Sequence, residues 1–116
     1  MDRLEAAIKE NGMEVFARID HAAGAAEVGL AMRATELLIF GNARGGTPLM
    51  QANQVIGIDL PLKALVFEDG AGKVWLAYND PRWLAQRHGL DAAVSQAIDA
   101  MTAVLDAVTT KATKLP

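Results

Sequence analysis

Residues 61–78 constrain the fold more than any other stretch, because two apolar runs, 62–67 and 74–78, flank the loop Glu68-Asp69-Gly70-Ala71-Gly72. Short runs rich in aromatic and branched residues, separated by glycine-containing turn chemistry, form an antiparallel hairpin. Successive strand residues point to opposite faces, so Leu62, Ala64 and Val66 oppose Leu65 and Phe67, while Val74 and Leu76 oppose Trp75 and Ala77. Both faces of this hairpin are apolar. Each requires a cover, either a helix layer or a second subunit.

The rest of the chain supplies the helices. Asp2 is read as the cap of a first helix, with Glu5 at capping-box spacing and Leu4, Ala7 and Ile8 as its apolar face; Asn11-Gly12 ends it. From 13 to 19, Met13, Val15, Ala17 and Ile19 alternate with Glu14, Phe16 and Arg18, the period of a half-buried strand. Residues 22–34 are small and weakly periodic, which predicts only a helical turn over 25–28. A buried strand follows over 36–40, and Thr47-Pro48 is read as the cap and first residue of a short helix reaching about 53. Asn79-Asp80-Pro81 starts another, ending at His88-Gly89. Leu90, Val94, Ile98, Met101, Leu105 and Val108 then form one stripe of a long helix, whose end carries Lys111, Lys114 and Pro116. These elements predict an α+β fold: a two-layer sandwich of an about four-stranded, largely antiparallel sheet with helices packed on it and a long C-terminal helix.

Composition narrows the class. With 116 residues the chain makes a single domain, 1–116, and its 22 alanines suit helices packed closely on a sheet. A net charge of −3 with no basic segment argues against nucleic acid. The chain has no cysteine, which excludes disulfides, thiolate metal sites and a cysteine nucleophile. No apolar run approaches the ~20 residues that cross a bilayer, and the start lacks the order of a signal peptide. A cytoplasmic protein with no membrane partner is expected.

Chemistry concentrates in two places. The first is the loop from Gly41 to Pro48, where Asn42, Arg44, Gly46 and Thr47 combine a backbone open to close approach, a guanidinium for carboxylate or phosphate, and a hydroxyl. It lacks the lysine of a nucleotide P-loop, and a capped strand-to-helix turn explains the same residues. The second is Arg18, Asp20 and His21 at the end of the first strand, read either as an ion pair with a capping histidine or as an acid–base pair. His21 and His88 stand far apart without metal-ligand spacing, and Ser95, the only serine, lies on a polar helix face. No metal and no cofactor are expected.

Phe16-Ala17-Arg18-Ile19-Asp20-His21-Ala22-Ala23-Gly24, Glu36-Leu37-Leu38-Ile39-Phe40-Gly41-Asn42, Gly46-Thr47-Pro48-Leu49-Met50-Gln51, Ile58-Asp59-Leu60-Pro61-Leu62-Lys63 and Tyr78-Asn79-Asp80-Pro81 resemble the prokaryotic family called domain of unknown function 302. The resemblance covers roughly residues 2 to 90. It implies a small α/β or α+β domain that dimerises, and it brings no assigned activity. Two departures stand out. The family usually places a strand before the first helix, whereas this chain opens at Asp2-Arg3-Leu4, and Ala34 stands where proline is common. A missing strand would leave a sheet edge for another subunit to cover.

These readings converge on a homodimeric domain that binds a small anionic ligand through Arg18, Asp20, His21, Asn42, Arg44, Gly46 and Thr47. An enzyme with an Asp/His acid–base pair acting on an anionic substrate, and a purely structural dimerisation module, are the alternatives.

Overall fold

The computed structural model describes residues 1–114. Pro116, read with Lys111 and Lys114 as part of the last turn, lies outside the described residues. In chain order the elements are α1 (Asp2–Glu10), β1 (Glu14–Asp20), α2 (His21–Glu27), β2 (Thr35–Gly41), α3 (Ala43–Ala52), a 3-10 turn (Gln54–Ile58), β3 (Leu62–Glu68), β4 (Val74–Tyr78), α4 (Pro81–Arg87), a second 3-10 turn (Ala92–Val94) and α5 (Ser95–Thr113). The strands form one antiparallel sheet in the order β1-β2-β3-β4. The α+β expectation holds, with a four-stranded sheet and the long helix in place.

Alternation along β2 and β3 divides the sheet into two unlike faces. Leu38, Phe40, Leu62 and Ala64 are buried, and they pack against Leu4, Ala7 and Ile8 of α1 and Leu105 and Val108 of α5. A second cluster joins Leu49 of α3, Ile56, Leu84 of α4, and Val94 and Ile98 around the start of α5. Met101 and Leu60 pack against both clusters. Ile98, Met101, Leu105 and Val108 of the stripe read from the sequence form the inner face of α5, whereas Leu90 and Val94 precede the helix, which starts only at Ser95 after the second 3-10 turn. The register Leu37↔Leu65↔Ala77 and Thr35↔Phe67↔Trp75 sets the opposite face, and none of these residues belongs to either cluster. Helices therefore cover one face of the hairpin and leave the other bare.

Four local expectations change. First, β1 does not alternate strictly. Val15 pairs with Phe40 and Ala17 with Ile39, so Phe16 is a bulge residue with no partner on β2. The extra residue reverses the faces beyond it: Val15 and Arg18 share the helix side, while Ala17 and Ile19 turn to the bare side. Second, residues 21–27 form a full helix, because the Asp20 carboxylate accepts the Ala23 amide 2.9 Å away and caps it. Third, α3 begins at Ala43 with Asn42 as its cap, and Pro48 lies inside the helix rather than at its start. Thr47 is not the cap. At the first helix, Met1 rather than Asp2 is the cap residue, and Asp2 bonds Arg18 instead.

Leu38→Ala removes a fully buried side chain at the centre of the covered face. It is expected to lower the unfolding free energy by about 2–5 kcal/mol in a urea titration, whereas Ile58→Ala on the exposed 3-10 turn changes it by about 0.5 kcal/mol or less.

Candidate functional site

The two groups of residues singled out in the sequence do not meet. Asp20 pairs with Glu36 at the start of β2, while Asn42 follows the end of the same strand, so the groups lie roughly 20 Å apart along the sheet. An antiparallel pair places the exits of its two strands at opposite ends, and this separates Arg18, Asp20 and His21 from Asn42, Arg44, Gly46 and Thr47.

Arg18 does not pair with Asp20. Its guanidinium takes Glu36 bidentately at 3.0 and 3.1 Å, and its Nη1 donates to Asp2 at 2.7 Å and Glu5 at 3.2 Å. Three carboxylates from α1 and β2 thus occupy the cation. The hydrogen bond from Arg18, followed by its charge, holds the Asp2 carboxyl below the usual carboxylate range. Asp20 is engaged in capping, and His21 is exposed at the first position of α2. This end of the sheet is fastened together rather than open to a ligand.

The other end holds a cleft. A cavity of about 310 Å³ runs along the first turns of α3, walled by Phe16, Met50, Leu60 and Met101 and floored by Gly46, with Asn42 and Thr47 as its polar side chains. The Asn42 Oδ1 accepts the Gly45 amide at 2.6 Å, which leaves the carboxamide NH₂ free to donate. Arg44 lines an adjoining depression of about 200 Å³ that shares Asn42 and Met101 with the cleft. The structure thus brings Asn42, Gly46 and Thr47 together, with Arg44 on the adjoining depression. The bulge residue Phe16, 50% exposed, completes the wall and was not singled out as a site residue. A break in alternation at an aromatic on the polar side of β1 was the available signal.

The two adjacent glycines of α3 have different reasons. A Cβ on Gly45 would stand 3.2 Å from the Asn42 Oδ1, tighter than an ordinary contact, so a side chain there presses on the cap. A Cβ on Gly46 would meet Leu60 and Met50 at 3.8 Å, ordinary contact distances. Neither packing nor a left-handed backbone demands glycine at 46. Its effect is to keep the cleft open.

A second polar cluster escaped the sequence reading. The Asp59 Oδ2 lies 2.5 Å from the His88 Nε2, both Asp59 oxygens accept from Arg87 Nη1 at 3.1 Å, and the Asn53 amide donates to the His88 carbonyl at 2.7 Å. His88 does not simply meet its own helix carbonyls: its ring clamps the end of α4 to the turn before β3. With side chains only 8% and 14% exposed, His88 and Asp59 are closed to a substrate, and neither lines the cleft. A separation of 29 residues carries no local pattern from which the pair could be read.

The profile described as "Domain of unknown function DUF302" matches residues 1–108, and the chain belongs to that family. A crystal structure of an uncharacterized conserved DUF302 protein from Bacillus stearothermophilus superposes with a TM-score of 0.83 at 21% identity, over 96% of this chain and 86% of that one, and shares the fold. The chain is also 54% identical over 109 residues to proteins called fluoride-specific ion channel FluC 1 in Brucella suis biovar 1 (strain 1330) and Brucella abortus biovar 1 (strain 9-941). It spans 94% of itself but only 43% and 40% of those proteins.

Two tests follow. Gly46→Ala is expected to stabilise the fold by about 0.4–1 kcal/mol, since alanine fits the helix and restricts the unfolded chain, while Gly45→Ala destabilises by pressing on the Asn42 cap; thermal melts of both variants decide. The hydrogen bond from His88, then the charges of Arg87 and Lys63, hold the Asp59 carboxyl below its usual value of 3.8. A carboxyl lowered on folding contributes stability above its unfolded pKa and loses it as pH falls through the folded value. Stability curves should therefore drop more steeply below about pH 4 for the parent than for Asp59→Asn, and coincident acid limbs would show the clamp to be inert.

Proposed function

We propose that this chain is a binding domain that takes a small amphipathic anion, its apolar body in the cleft of Phe16, Met50, Leu60 and Met101 and its charged group toward Asn42, Thr47 and Arg44. The observation that carries this reading is the cleft itself: a preformed apolar hollow with the Asn42 carboxamide NH₂ and the Thr47 hydroxyl free to bond, at a helix start that glycine leaves open. Arg44 makes no salt bridge among the described residues and stands beside it. No residue lining the cleft is titratable, which supports binding over acid–base catalysis. Arg18, Asp20 and His21 have no place in this site.

The Brucella relatives favour a second reading, in which the domain serves fluoride traffic as a part of such a protein that does not conduct. No helix among the described residues is long and apolar enough to cross a membrane.

One titration separates these readings. Backbone amide resonances over 42–50 are followed by NMR while sodium octanoate, octanol, sodium fluoride and sodium chloride are added in turn. Octanoate is expected to shift these amides saturably, octanol more weakly, and Arg44→Ala to weaken octanoate about tenfold, equivalent to about 1.4 kcal/mol. Shifts produced by fluoride and not by chloride or octanoate would replace the first reading with the second. Silence from every probe would overturn both.

A further inference from the structure

The two edges of the sheet are built differently. β1 carries Glu14, Arg18 and Asp20, a bulge at Phe16 and the tie from Arg18 to α1, all of which keep another strand from adding to it. β4 has no charge, no proline and no irregularity against β3, and its Val74, Trp75 and Tyr78 are 64%, 44% and 40% exposed. The ladder shows which of its backbone groups are unpaired. The Asp69 amide donates to the Lys73 carbonyl at 2.8 Å, and the Glu68 amide donates to the Ala34 carbonyl at 2.9 Å, so odd-numbered residues of β3 face β4 and even-numbered ones face β2. Phe67↔Trp75 and Leu65↔Ala77 are then the bonded pairs, and Val74, Leu76 and Tyr78 turn their N–H and C=O groups outward. None of these six groups has a partner among the described residues.

The same three residues pair with Glu68, Val66 and the buried Ala64, which puts their side chains on the helix side, where two hollows follow one another along β4. The first, about 390 Å³, lies between Val66, Val74 and Leu76 of the sheet and Leu4 and Ala112 of the helices, with Arg3 and Lys73 as its charged residues. The second, about 250 Å³, is lined by Tyr78, Thr102 and Asp106, together with Asp80 and Arg82. Arg82 is paired with Asp80 at 3.0 Å, whereas Arg3, Lys73 and Asp106 form no salt bridge among the described residues. Arg3 donates from Nη1 to the Lys114 carbonyl and meets no carboxylate. Glu68 and Asp69, the acidic residues nearest Lys73 in sequence, line the trough on the other face and not this hollow. The edge is therefore cationic beside Val74 and anionic beside Tyr78.

We propose that β4 takes up an extended peptide of a partner protein as a fifth, antiparallel strand, with a basic residue opposite Tyr78, an apolar one opposite Leu76 and an acidic one opposite Val74. Backbone pairing supplies the attachment, because an antiparallel strand exchanges two bonds with each outward-facing residue of β4. Residues two apart on the added strand share a face, so these three side chains enter the hollows, and the two between them lie beside Trp75 and Ala77. Charge sets the direction. A strand with its charges reversed would hold its acidic residue against Asp106 and its basic one against Arg3 and Lys73. β4 of a second copy does not meet this description, since it would bring only Val74, Leu76 and Tyr78 to the hollows and no charge.

Amide hydrogen exchange of the isotope-labelled protein, read by NMR with and without millimolar acetyl-Lys-Thr-Val-Thr-Glu-amide, tests the proposal. In the protein alone the Val74, Leu76 and Tyr78 amides should exchange freely, while those of Trp75 and Ala77, bonded to β3, are slow. The peptide should slow the first three about tenfold or more. The reversed peptide, acetyl-Glu-Thr-Val-Thr-Lys-amide, should bind about tenfold more weakly, and Arg3→Glu should erase that difference. Val74→Pro deletes one outward N–H at the first residue of an edge strand, where proline is tolerated, so it should leave the urea midpoint near the parent's and abolish binding. Unchanged exchange at the three amides, or binding that survives Val74→Pro in folded protein, overturns the added strand. Equal affinity for the two peptides overturns its direction. Protection of the three amides that rises with protein concentration alone would assign the edge to a second copy and overturn the partner. These readouts do not involve the cleft, so they stand or fall apart from its ligand.

Discussion

Burial of Leu38 and Phe40 at the centre of the sheet is the constraint from which the rest of this molecule follows. Their strand is apolar on both sides, with Leu37 and Ile39 interleaved, and the chain has one helix layer to spend. The stripes of α1 and α5 fit the Leu38 side, where Leu4, Ile8, Leu105 and Val108 close on it. Every residue of opposite parity on β2, β3 and β4 is then committed to the other face. Period-two geometry allows no compromise, because moving one side chain out of solvent by a register slip moves its buried neighbour into it. The bare face is thus a consequence of how the core is built, and not an accident of the surface.

The bulge at Phe16 adjusts this scheme at a single point. Under strict alternation Arg18 would fall on the same side as Phe16 and away from Val15. With one unpaired residue inserted, Val15 keeps its place beside Phe40 while Arg18 comes to lie beside Leu38, next to Glu36 and under the start of α1. Two hydrogen bonds to Asp2 and Glu5 then tie the edge strand to α1, and two to Glu36 tie it to β2. The same inserted residue leaves Phe16 as one wall of the cleft and keeps this cluster of charges off the bare face. One extra residue in a strand therefore supports three features that lie far apart in sequence.

What was legible in the sequence is what short-range periodicity encodes. The hairpin, both of its faces and the buried stripe of α5 could be read residue by residue, as could the Asp80-Pro81 start of α4, where the Asp80 carboxylate accepts the Arg82 amide. The start of α3 was misplaced because two residues competed as its cap. Thr47-Pro48 has the commoner signature, yet Asn42 reaches the Gly45 amide, and the helix begins there despite two glycines and an internal proline that disfavour it. The clamp between Asp59 and His88 was unreadable for a different reason: it depends on two turns meeting, and nothing near either residue announces the other.

The candidate site shows the same boundary between what is local and what is not. Each half was recognisable by its residue types, and joining the halves required knowing how β1 and β2 run. In an antiparallel pair the chain leaves one strand at the end where it enters the next, so residues following β1 and residues following β2 cannot share a pocket unless a long loop returns. Here Asp20 caps a helix at one end and Asn42 caps a helix at the other. The cleft beside Asn42 opens against the helix layer, where Met101 of α5 and Leu60 form part of its wall. The bare face lies on the opposite side of the same sheet. The cleft and the bare face consequently draw on separate residues of one small domain, and β2 is the element common to both: its parity sets the bare face, and its end delivers Asn42 to the cleft.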